Sequence, residues 1–419
     1  MSGKITFFTI VSRNYLAQAF VLGESVKRNH PESNFSIFLV DDIHRDYGED
    51  IGRKGLSVVY PEDISIPNYK QFVFKYQMIE ACTGVKPFVF QALLDQGADK
   101  VVYLDPDMLC FRPLSEAIEL LDFSAIVITP HTLSPYEKNS YWANDLRLLQ
   151  RGAYNLGFLG VANGVVGQRF LTWWKDKLTN ECLLRLDKGL FVDQKWIDLV
   201  PAYFDRVTIL KNPAYNLAYW NLHERSLKKE GGLFYVIESG TPLALVHFSR
   251  TDFKLLDNPP MFFEILPDSH PAKILEICKN RSDISELLYI YAGLIRANHY
   301  AYYSSIPYAF STYSNGELIE GWERSAFMES PQWQKSAADP FHTGKGSFWE
   351  FCREKGRVEK KIFRNIFAKL CKKIGICLAV VFIRLMGVAY YFKLIDRLFL
   401  IGQDFQTKRN KIRTANESR

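Results

Sequence analysis

Short apolar runs alternate with amphipathic segments through the first 130 residues. The run at 4–12 is rich in β-branched and aromatic residues, whereas 15–31 carries apolar residues at helical spacing and stops at a proline. Continuous apolar strands that alternate with helices are typical of a mostly parallel sheet covered on both faces, so this pattern predicts an α/β fold. Further strands are predicted at 35–42, 58–61, 99–107 and 123–130, and helical segments at 73–97.

The pattern changes near residue 260. Segment 270–300 is predicted to be helical, 300–350 is rich in Tyr, Ser, Gly and Trp and reads as an irregular addition, and 353–403 is a long helical tract. The predicted organisation is therefore a sheet-containing domain at 1–260, an accessory segment at 261–352, and a basic amphipathic helical tail at 353–419.

The tail carries the chain's excess of positive over negative charge. The chain has a net charge of +6, yet 17 Lys and Arg face 5 Asp and Glu from Arg353 to Arg419, so the remainder is net acidic. The apolar stretch 374–392 is marginal for a membrane span, which needs about 20 apolar residues, and Arg384 interrupts it. The basic flanks favour a helix that lies in an anionic membrane interface through 353–413. A helical hairpin that packs on the body or mediates oligomerisation stays open, and no nucleic-acid-binding signature is present.

The cysteines and the N-terminus bear on location. The seven cysteines are odd in number and scattered, without a C-x-x-C pair, which favours free thiols in a reducing compartment. The first 15 residues read as a strand and not as a signal peptide. Together with the tail, these features predict a cytoplasmic protein that is peripheral on the inner face of the cytoplasmic membrane.

Polar side chains cluster at three predicted strand ends: Thr9–Ser12, Asp41–Asp42 and Asp105–Asp107. Ligands of open α/β sheets bind at the carboxyl ends of the strands, so these clusters are expected to meet at one site. The glycine fingerprint of dinucleotide-binding proteins is missing after the first strand, and so is a P-loop lysine motif. Nicotinamide enzymes and P-loop kinases are therefore disfavoured.

Asp105 and Asp107 flank Pro106 at the end of an apolar strand. Residues i and i+2 of an extended chain point to the same side, and two carboxylates so close repel each other unless a cation lies beside them. A hard divalent ion such as Mg²⁺ or Mn²⁺ accepts oxygen ligands and keeps positions open for phosphates. The alternative is a turn in which the aspartates cap a following helix.

The string "YLDPDM" (103–108) resembles the D-x-D motif of GT-A fold glycosyltransferases. The strings "YNLGFLGV" (154–161), "VDQKWIDLVP" (192–201) and "LVHFS" (245–249) follow in the order seen in family 8-like retaining transferases. The resemblance covers roughly residues 1–255. It implies a Rossmann-like mixed sheet, mostly parallel, with a helical C-terminal extension, in a bacterial-type hexosyltransferase that uses a nucleotide-diphosphate sugar.

The resemblance also implies roles for individual side chains. Asp105 and Asp107 would bind Mn²⁺ or Mg²⁺, and His247 would supply a third ligand. The transferred sugar would face Asn155, Asp193 and Gln194. The nucleotide of the donor would lie against Thr9, Ser12, Tyr15, Asp41 or Asp42, Lys86 and the metal-bound Asp105.

Each of these residues has a purely structural alternative. His247 could be a hydrogen-bonded core histidine, Lys86 a solvated helix residue, and Asp193 the N-cap of a following helix. Asp41–Asp42 could simply end a strand, and "YNLG" could be a turn with Gly157 in a left-handed conformation.

The chain departs from the family after its histidine, where a Gly and a Lys-Pro-Trp cluster usually help to hold the diphosphate. Here "HFSRTDFKLLDNPP" (247–260) offers Arg250 and Lys254 instead. The predicted activity is transfer of a hexose from a UDP-type sugar to a glycan or lipid-linked acceptor, with retention, in surface polysaccharide synthesis. The alternatives are a sugar nucleotidyltransferase, against which the glycine-free "TIVSRNYL" (9–16) argues, and a non-catalytic membrane-associated scaffold.

Overall fold

A seven-stranded sheet lies at the centre of the computed structural model, which describes residues 3–41, 45–137, 144–249 and 281–355. The strands are β1 (Ile5–Val11), β2 (Asn34–Leu39), β3 (Ser57–Val59), β4 (Lys100–Leu104), β5 (Met108–Cys110), β6 (Ile126–Pro130), β7 (Tyr154–Ala162), β8 (Leu184–Arg185), β9 (Leu190–Phe191), β10 (Val207–Ile209), β11 (Leu227–Glu230), β12 (Leu233–Val236), β13 (Thr241–Pro242) and β14 (Leu245–His247). The order in the large sheet is β10-β6-β7-β4-β1-β2-β3, and its neighbours run parallel except that β7 is antiparallel to β4 and β6. This mixed, mostly parallel sheet confirms the predicted α/β class.

Both faces of the sheet are buried under helices. Phe7 and Phe8 of β1 are both fully buried but belong to different apolar clusters, because successive strand residues point to opposite faces. This double burial explains why β1 reads as an apolar run without alternation. The helices up to residue 249 are α1 (Leu16–Asn29), α2 (Gly48–Arg53), α3 (Tyr69–Lys75), α4 (Met78–Gly84), α5 (Lys86–Asp95), α6 (Ser115–Phe123), α7 (Asp145–Arg151), α8 (Val165–Glu181) and α9 (Val200–Tyr203).

Strand β7, in the interior of the large sheet, is one of the elements that the hydrophobic pattern did not predict. It lies between β4 and β6, and its pairing with β6 shifts along the strand: Leu159 pairs with Ile128, but Asn155 pairs with Thr129. Residues 156–158 are therefore extra on β7 and form a bulge. Bulges re-aim side chains next to functional sites, and this one lies beside the carboxyl end of β4.

Residues 281–349 pack onto the sheet domain, and residues up to Trp349 form one compact unit. The helix Ser282–Ala297 contributes buried apolar side chains to the same cluster as α1. Arg324, in the helix Gly321–Met328, donates hydrogen bonds to the carbonyls of Phe74 (2.9 Å) and Tyr76 (2.8 Å), where α3 ends. The segment predicted to be irregular therefore contains helices, since the short helices Tyr300–Tyr303 and Pro331–Ser336 lie in it as well.

Two predictions about organisation concern residues outside those described. The proposed domain boundary at residue 260 falls in 250–280, and almost all of the basic tail falls in 356–419. A second unit begins at Glu350. In the part of the chain that the structure describes, no helix combines the length and the apolar character that crossing a membrane requires.

Candidate active site

Asp105 and Asp107 lie in a tight turn between β4 and β5. The Asp105 N–H donates to the carbonyl of Gly157 on β7 (2.8 Å), and the Met108 N–H donates back to the carbonyl of Asp105 (3.1 Å). Strand β5 begins at Met108, immediately after the second aspartate. The two carboxylates therefore do not cap a following helix, and the turn presents them at the carboxyl edge of the sheet.

His247 reaches these carboxylates because β14 pairs antiparallel with β5, with His247 opposite Met108. The His247 Nε2 lies 3.0 Å from Asp107 Oδ1 and 3.6 Å from Asp105 Oδ2. One ligand atom from each of the three residues lies within 4.8 Å of the others. The structure thus brings together the three side chains predicted to bind a metal.

The chemistry of this cluster suits a divalent cation. Two carboxylates and one imidazole are ligands that Mn²⁺ and Mg²⁺ accept in proteins. Burial raises the pKa of Asp105, against the opposing effect of Lys86 and His247. Burial alone would lower the pKa of His247, but the charges of Asp107 and Asp105 outweigh it, so the pKa of the imidazole is raised. The raised pKa of His247 means that the two carboxylates favour a positive charge beside them.

The backbone of Gly157 makes room for the imidazole. A Cβ atom at this position would lie 2.7 Å from both Cε1 and Nδ1 of His247 and 2.6 Å from Cε of Met108. Gly157 lies inside β7 and does not have a positive φ, so it is not the left-handed turn residue considered from the sequence. What the site requires here is space.

Lys86 and Asp193 form a buried ion pair near Asp105, Asp107 and His247, the three residues of the candidate metal cluster. The Lys86 Nζ lies 2.6 Å from Asp193 Oδ2, and the two side chains are 1% and 3% exposed. Asp193 precedes a 3-10 helix (Gln194–Leu199) but makes no side-chain capping hydrogen bond. Lys86 is therefore not a solvated helix residue, and Asp193, although it stands at the N-cap position, does not cap the helix with its side chain. Burial raises the pKa of Asp193, and Lys86 opposes this.

Tyr103 links the ion pair to the metal cluster. Its hydroxyl donates to Asp105 Oδ1 (2.6 Å), while the Lys86 ammonium lies 4.0 Å from the centre of its ring. Tyr103 was not singled out from the sequence, although its spacing of two from Asp105 along an extended strand places both side chains on one side.

The side-chain amides of Asn155 and Gln194 are already hydrogen-bonded to other groups of the protein. Gln194 Oε1 accepts from the N–H of Leu156 (3.1 Å), and its Nε2 donates to the carbonyl of Arg151 (3.0 Å). Asn155 Oδ1 faces His247 Nδ1 at 3.2 Å. Contact of either amide with a sugar stays a prediction.

The residues predicted to line the nucleotide follow β1 and β2. Thr9 and Ser12 are buried, and the Ser12 hydroxyl donates to Asn14 Oδ1 (2.5 Å). Tyr15 is 38% exposed. Its hydroxyl end is nevertheless buried, and this burial together with the negative charge of Asp107 raises the pKa of the Tyr15 hydroxyl.

Asp41 is fully buried and holds two distant segments together. It accepts from the backbone N–H of Arg13 (2.8 Å) and of Ala309 (3.0 Å). Burial raises the pKa of Asp41 despite these hydrogen bonds. Its role in binding a base or ribose stays a prediction, and Asp42, Arg250 and Lys254 lie outside the described residues.

A cavity of about 260 Å³ opens beside the metal cluster. Lys86, Asp105, Asn155, Asp193, Gln194 and His247 all line it, so six of the predicted residues meet at one place. His131 and Trp220 also line the cavity, and neither was predicted from the sequence. The Trp220 ring packs edge-on against the His247 imidazole, with ring centres 5.2 Å apart. His131 directly follows β6, and this position at a strand end is the signal that could have identified it.

Comparisons with known proteins give distant relatives. No protein-family model matches the chain. The Bacillus subtilis (strain 168) protein YfnF, itself uncharacterized, is 27% identical over 249 residues, which cover 58% of this chain and 80% of YfnF. YfnD of the same organism, also uncharacterized, is 22% identical over 247 residues, 58% of this chain and 76% of YfnD.

Solved structures of glycosyltransferases resemble the chain at low TM-scores. The galactosyltransferase LgtC, in complex with donor and acceptor sugar analogs, is 15% identical with a TM-score of 0.37, covering 66% of this chain and 96% of LgtC. The glycosyltransferase GlyE of Streptococcus pneumoniae TIGR4 is 13% identical with a TM-score of 0.37, covering 74% and 67%. Mouse xyloside xylosyltransferase 1 is 14% identical with a TM-score of 0.36, covering 59% and 98%. Likenesses this distant do not establish an activity, which has to be inferred from the side chains of the site.

Proposed function

We propose that this chain is a metal-dependent glycosyltransferase that moves a hexose from a UDP-type sugar to a glycan or lipid-linked acceptor, with retention, in surface polysaccharide synthesis. The observation that carries the proposal is the cluster of Asp105, Asp107 and His247 at the carboxyl edge of a mostly parallel sheet, beside a cavity that several polar side chains line. This edge is where open α/β sheets bind nucleotides. A sugar diphosphate needs a cation at one end and polar groups at the other, and the cavity offers candidate ligands for a cation together with polar side chains.

Asp105, Asp107 and His247 would hold the cation, which stabilises the negative charge of a departing diphosphate when it is bound. Tyr103 keeps Asp105 Oδ1 occupied, so that Oδ2 is the oxygen turned towards His247. Lys86 and Asp193 place a balanced pair of charges in the wall of the cavity. Asp193 is the proposed catalytic carboxylate on the sugar side, while Gln194 holds the bulge of β7 in place through Leu156.

Calorimetric titration of UDP and GDP, each with and without Mn²⁺, tests this proposal. We expect one nucleotide to bind only with Mn²⁺, and we expect Asp105→Ala/Asp107→Ala to abolish that binding. Asp176→Ala is the matched control, because its carboxylate lies on α8 with its side chain 74% exposed. A folded wild-type protein that binds neither nucleotide would refute the proposal.

The basic tail supplies the second part of the proposal, attachment to an anionic membrane through 353–413. The test is sedimentation of the full-length chain with anionic and with neutral vesicles, at low and at high salt. Electrostatic attachment predicts binding to the anionic vesicles alone and its loss at high salt. A chain that stays in solution with anionic vesicles at low salt would remove this part and leave the catalytic proposal intact.

A further inference from the structure

We infer that Asn155 is a positioning residue whose amide oxygen holds the Nδ1 proton of His247, so that Nε2 is left to bind a divalent cation. The inference rests on the metal site of the proposed function. It assigns the Asn155 amide to the imidazole, which differs from the contact with a sugar that the sequence led us to expect.

Three backbone groups, each with only one possible role, orient the hydrogen bonds around Asn155. The carbonyl of Ala153 can only accept, so the His131 Nδ1 that faces it at 3.2 Å carries the proton. Burial lowers the pKa of His131 to about 4, so its ring is neutral and its Nε2 is an acceptor. The atom of Asn155 that faces this Nε2 at 3.3 Å must therefore be the amide nitrogen.

Gln194 supports the same orientation from a second side. Its Oε1 accepts from the N–H of Leu156, a group that can only donate, and this oxygen also lies 3.4 Å from Asn155 Nδ2. Two acceptors thus face the nitrogen of the Asn155 amide. Turning the amide over would place its oxygen against both of them.

The other end of the Asn155 amide is set by donors. The N–H of Gly157 donates to Oδ1 (3.1 Å), and Asn216 Nδ2 donates to the same oxygen (3.2 Å). His247 Nδ1, at 3.2 Å from this oxygen, must then be the donor of the pair. In the neutral imidazole only Nε2 remains unprotonated, and Nε2 is the atom that faces Asp107 and Asp105.

The energetic consequence follows from how metal-binding histidines are generally held. A hydrogen bond to the second ring nitrogen fixes the tautomer and the ring orientation, and its loss typically costs 10–100-fold in metal affinity. Asn155 is 7% exposed and His247 is 4% exposed, so water cannot readily replace the amide oxygen. Asn155 therefore acts on the cation through His247 and without touching it.

The Mn²⁺ affinity of the protein alone, measured from the free-Mn²⁺ signal in electron paramagnetic resonance, tests this role. Asn155→Ala should weaken binding about 10–100-fold. Asn155→Asp keeps an acceptor for Nδ1 but places a second oxygen against His131 Nε2 and Gln194 Oε1, so it should lose affinity but less than Asn155→Ala. Asn298→Ala is the control, since Asn298 is also buried and hydrogen-bonded but contacts Lys54 and Leu294 instead. Wild-type affinity in Asn155→Ala, or loss in Asn155→Asp equal to that in Asn155→Ala, would overturn the inference.

A second measurement uses only the wild-type protein, so it does not depend on whether a variant folds. Ring nitrogen resonances of the wild-type protein saturated with Mg²⁺ should show His247 protonated at Nδ1 and not at Nε2, and a proton on Nε2 would overturn the inference. A wild-type protein that binds no Mn²⁺ overturns the metal site and the proposed function with it. Normal Mn²⁺ binding that is unaffected by Asn155→Ala overturns only the role of Asn155.

Discussion

Replacing Gly157 by alanine should damage the metal site while leaving the protein folded. The added Cβ would lie 2.7 Å from the His247 ring and 2.6 Å from Cε of Met108, whereas carbon atoms in contact normally lie about 3.5–4.0 Å apart. The methionine end can rotate away, because the thioether chain is flexible. The imidazole cannot move without changing its distances to Asn155 and to both aspartates.

The expected magnitudes separate stability from binding. Overpacking of a core costs about 1–3 kcal/mol, and removing a glycine from a strand returns roughly 0.5–1 kcal/mol. The net loss of unfolding free energy is then about 0–2.5 kcal/mol, which is small against the roughly 5–15 kcal/mol of a typical protein. The Mn²⁺ affinity should nevertheless fall about tenfold or more, as expected when a histidine ligand is displaced.

Urea unfolding and Mn²⁺ titration of the same samples check this prediction, with Gly160→Ala as the matched control. Gly160 lies in the same strand, and its added Cβ would come no closer than 3.1 Å, to Leu121 and not to the imidazole. Gly160→Ala should bind Mn²⁺ like the wild type. Wild-type affinity in Gly157→Ala would refute the steric reasoning, and equal losses in both variants would point to a disturbance of the whole strand.

Urea unfolding of three further sets of variants tests two buried groups of the site and one contact between residues 281–349 and the sheet domain. Lys86→Met should cost about 3–5 kcal/mol because it leaves Asp193 buried without its partner; Lys86→Met/Asp193→Asn should lose less than the two single variants together, and simple additivity would contradict the coupling. His131 has a folded pKa of about 4, below its usual 6.5, so its stabilising effect is complete above pH 6.5 and is lost as the pH falls towards 4, by up to roughly 3 kcal/mol. His131→Gln should flatten this acid limb, and an unchanged limb would show that other groups cause it. Arg324→Lys should cost about 1–3 kcal/mol, because one ammonium cannot replace a planar guanidinium that serves several carbonyls at once; an unchanged unfolding midpoint would show that this contact does not stabilise residues 281–349.

The local hydrophobic pattern was sufficient to predict the strands of the parallel part of the sheet that are named above and to single out the two aspartates. Both signals depend only on residues that are adjacent in sequence. The pattern was insufficient for β7, whose glycines and asparagine lower the apparent strand propensity although tertiary pairing on both sides imposes a strand. The role of Gly157 could not be predicted from the sequence either, because its missing Cβ makes room for the imidazole of His247, a residue distant in sequence. The alternative roles of Lys86 and Asp193 could be decided only once their mutual distance was known.

The pairing of β5 with β14 has a consequence for the order of events during synthesis. Asp107 leaves the ribosome roughly 140 residues before His247, and the β5–β14 pairing brings them together. At a translation rate of about 5–20 residues per second, the aspartates wait on the order of ten seconds for their third partner. A nascent chain that ends before residue 245 has both carboxylates but lacks His247, so it should emerge without the complete candidate cation site. Cation binding then becomes a property of the finished domain, and it can report that the long-range pairing has formed.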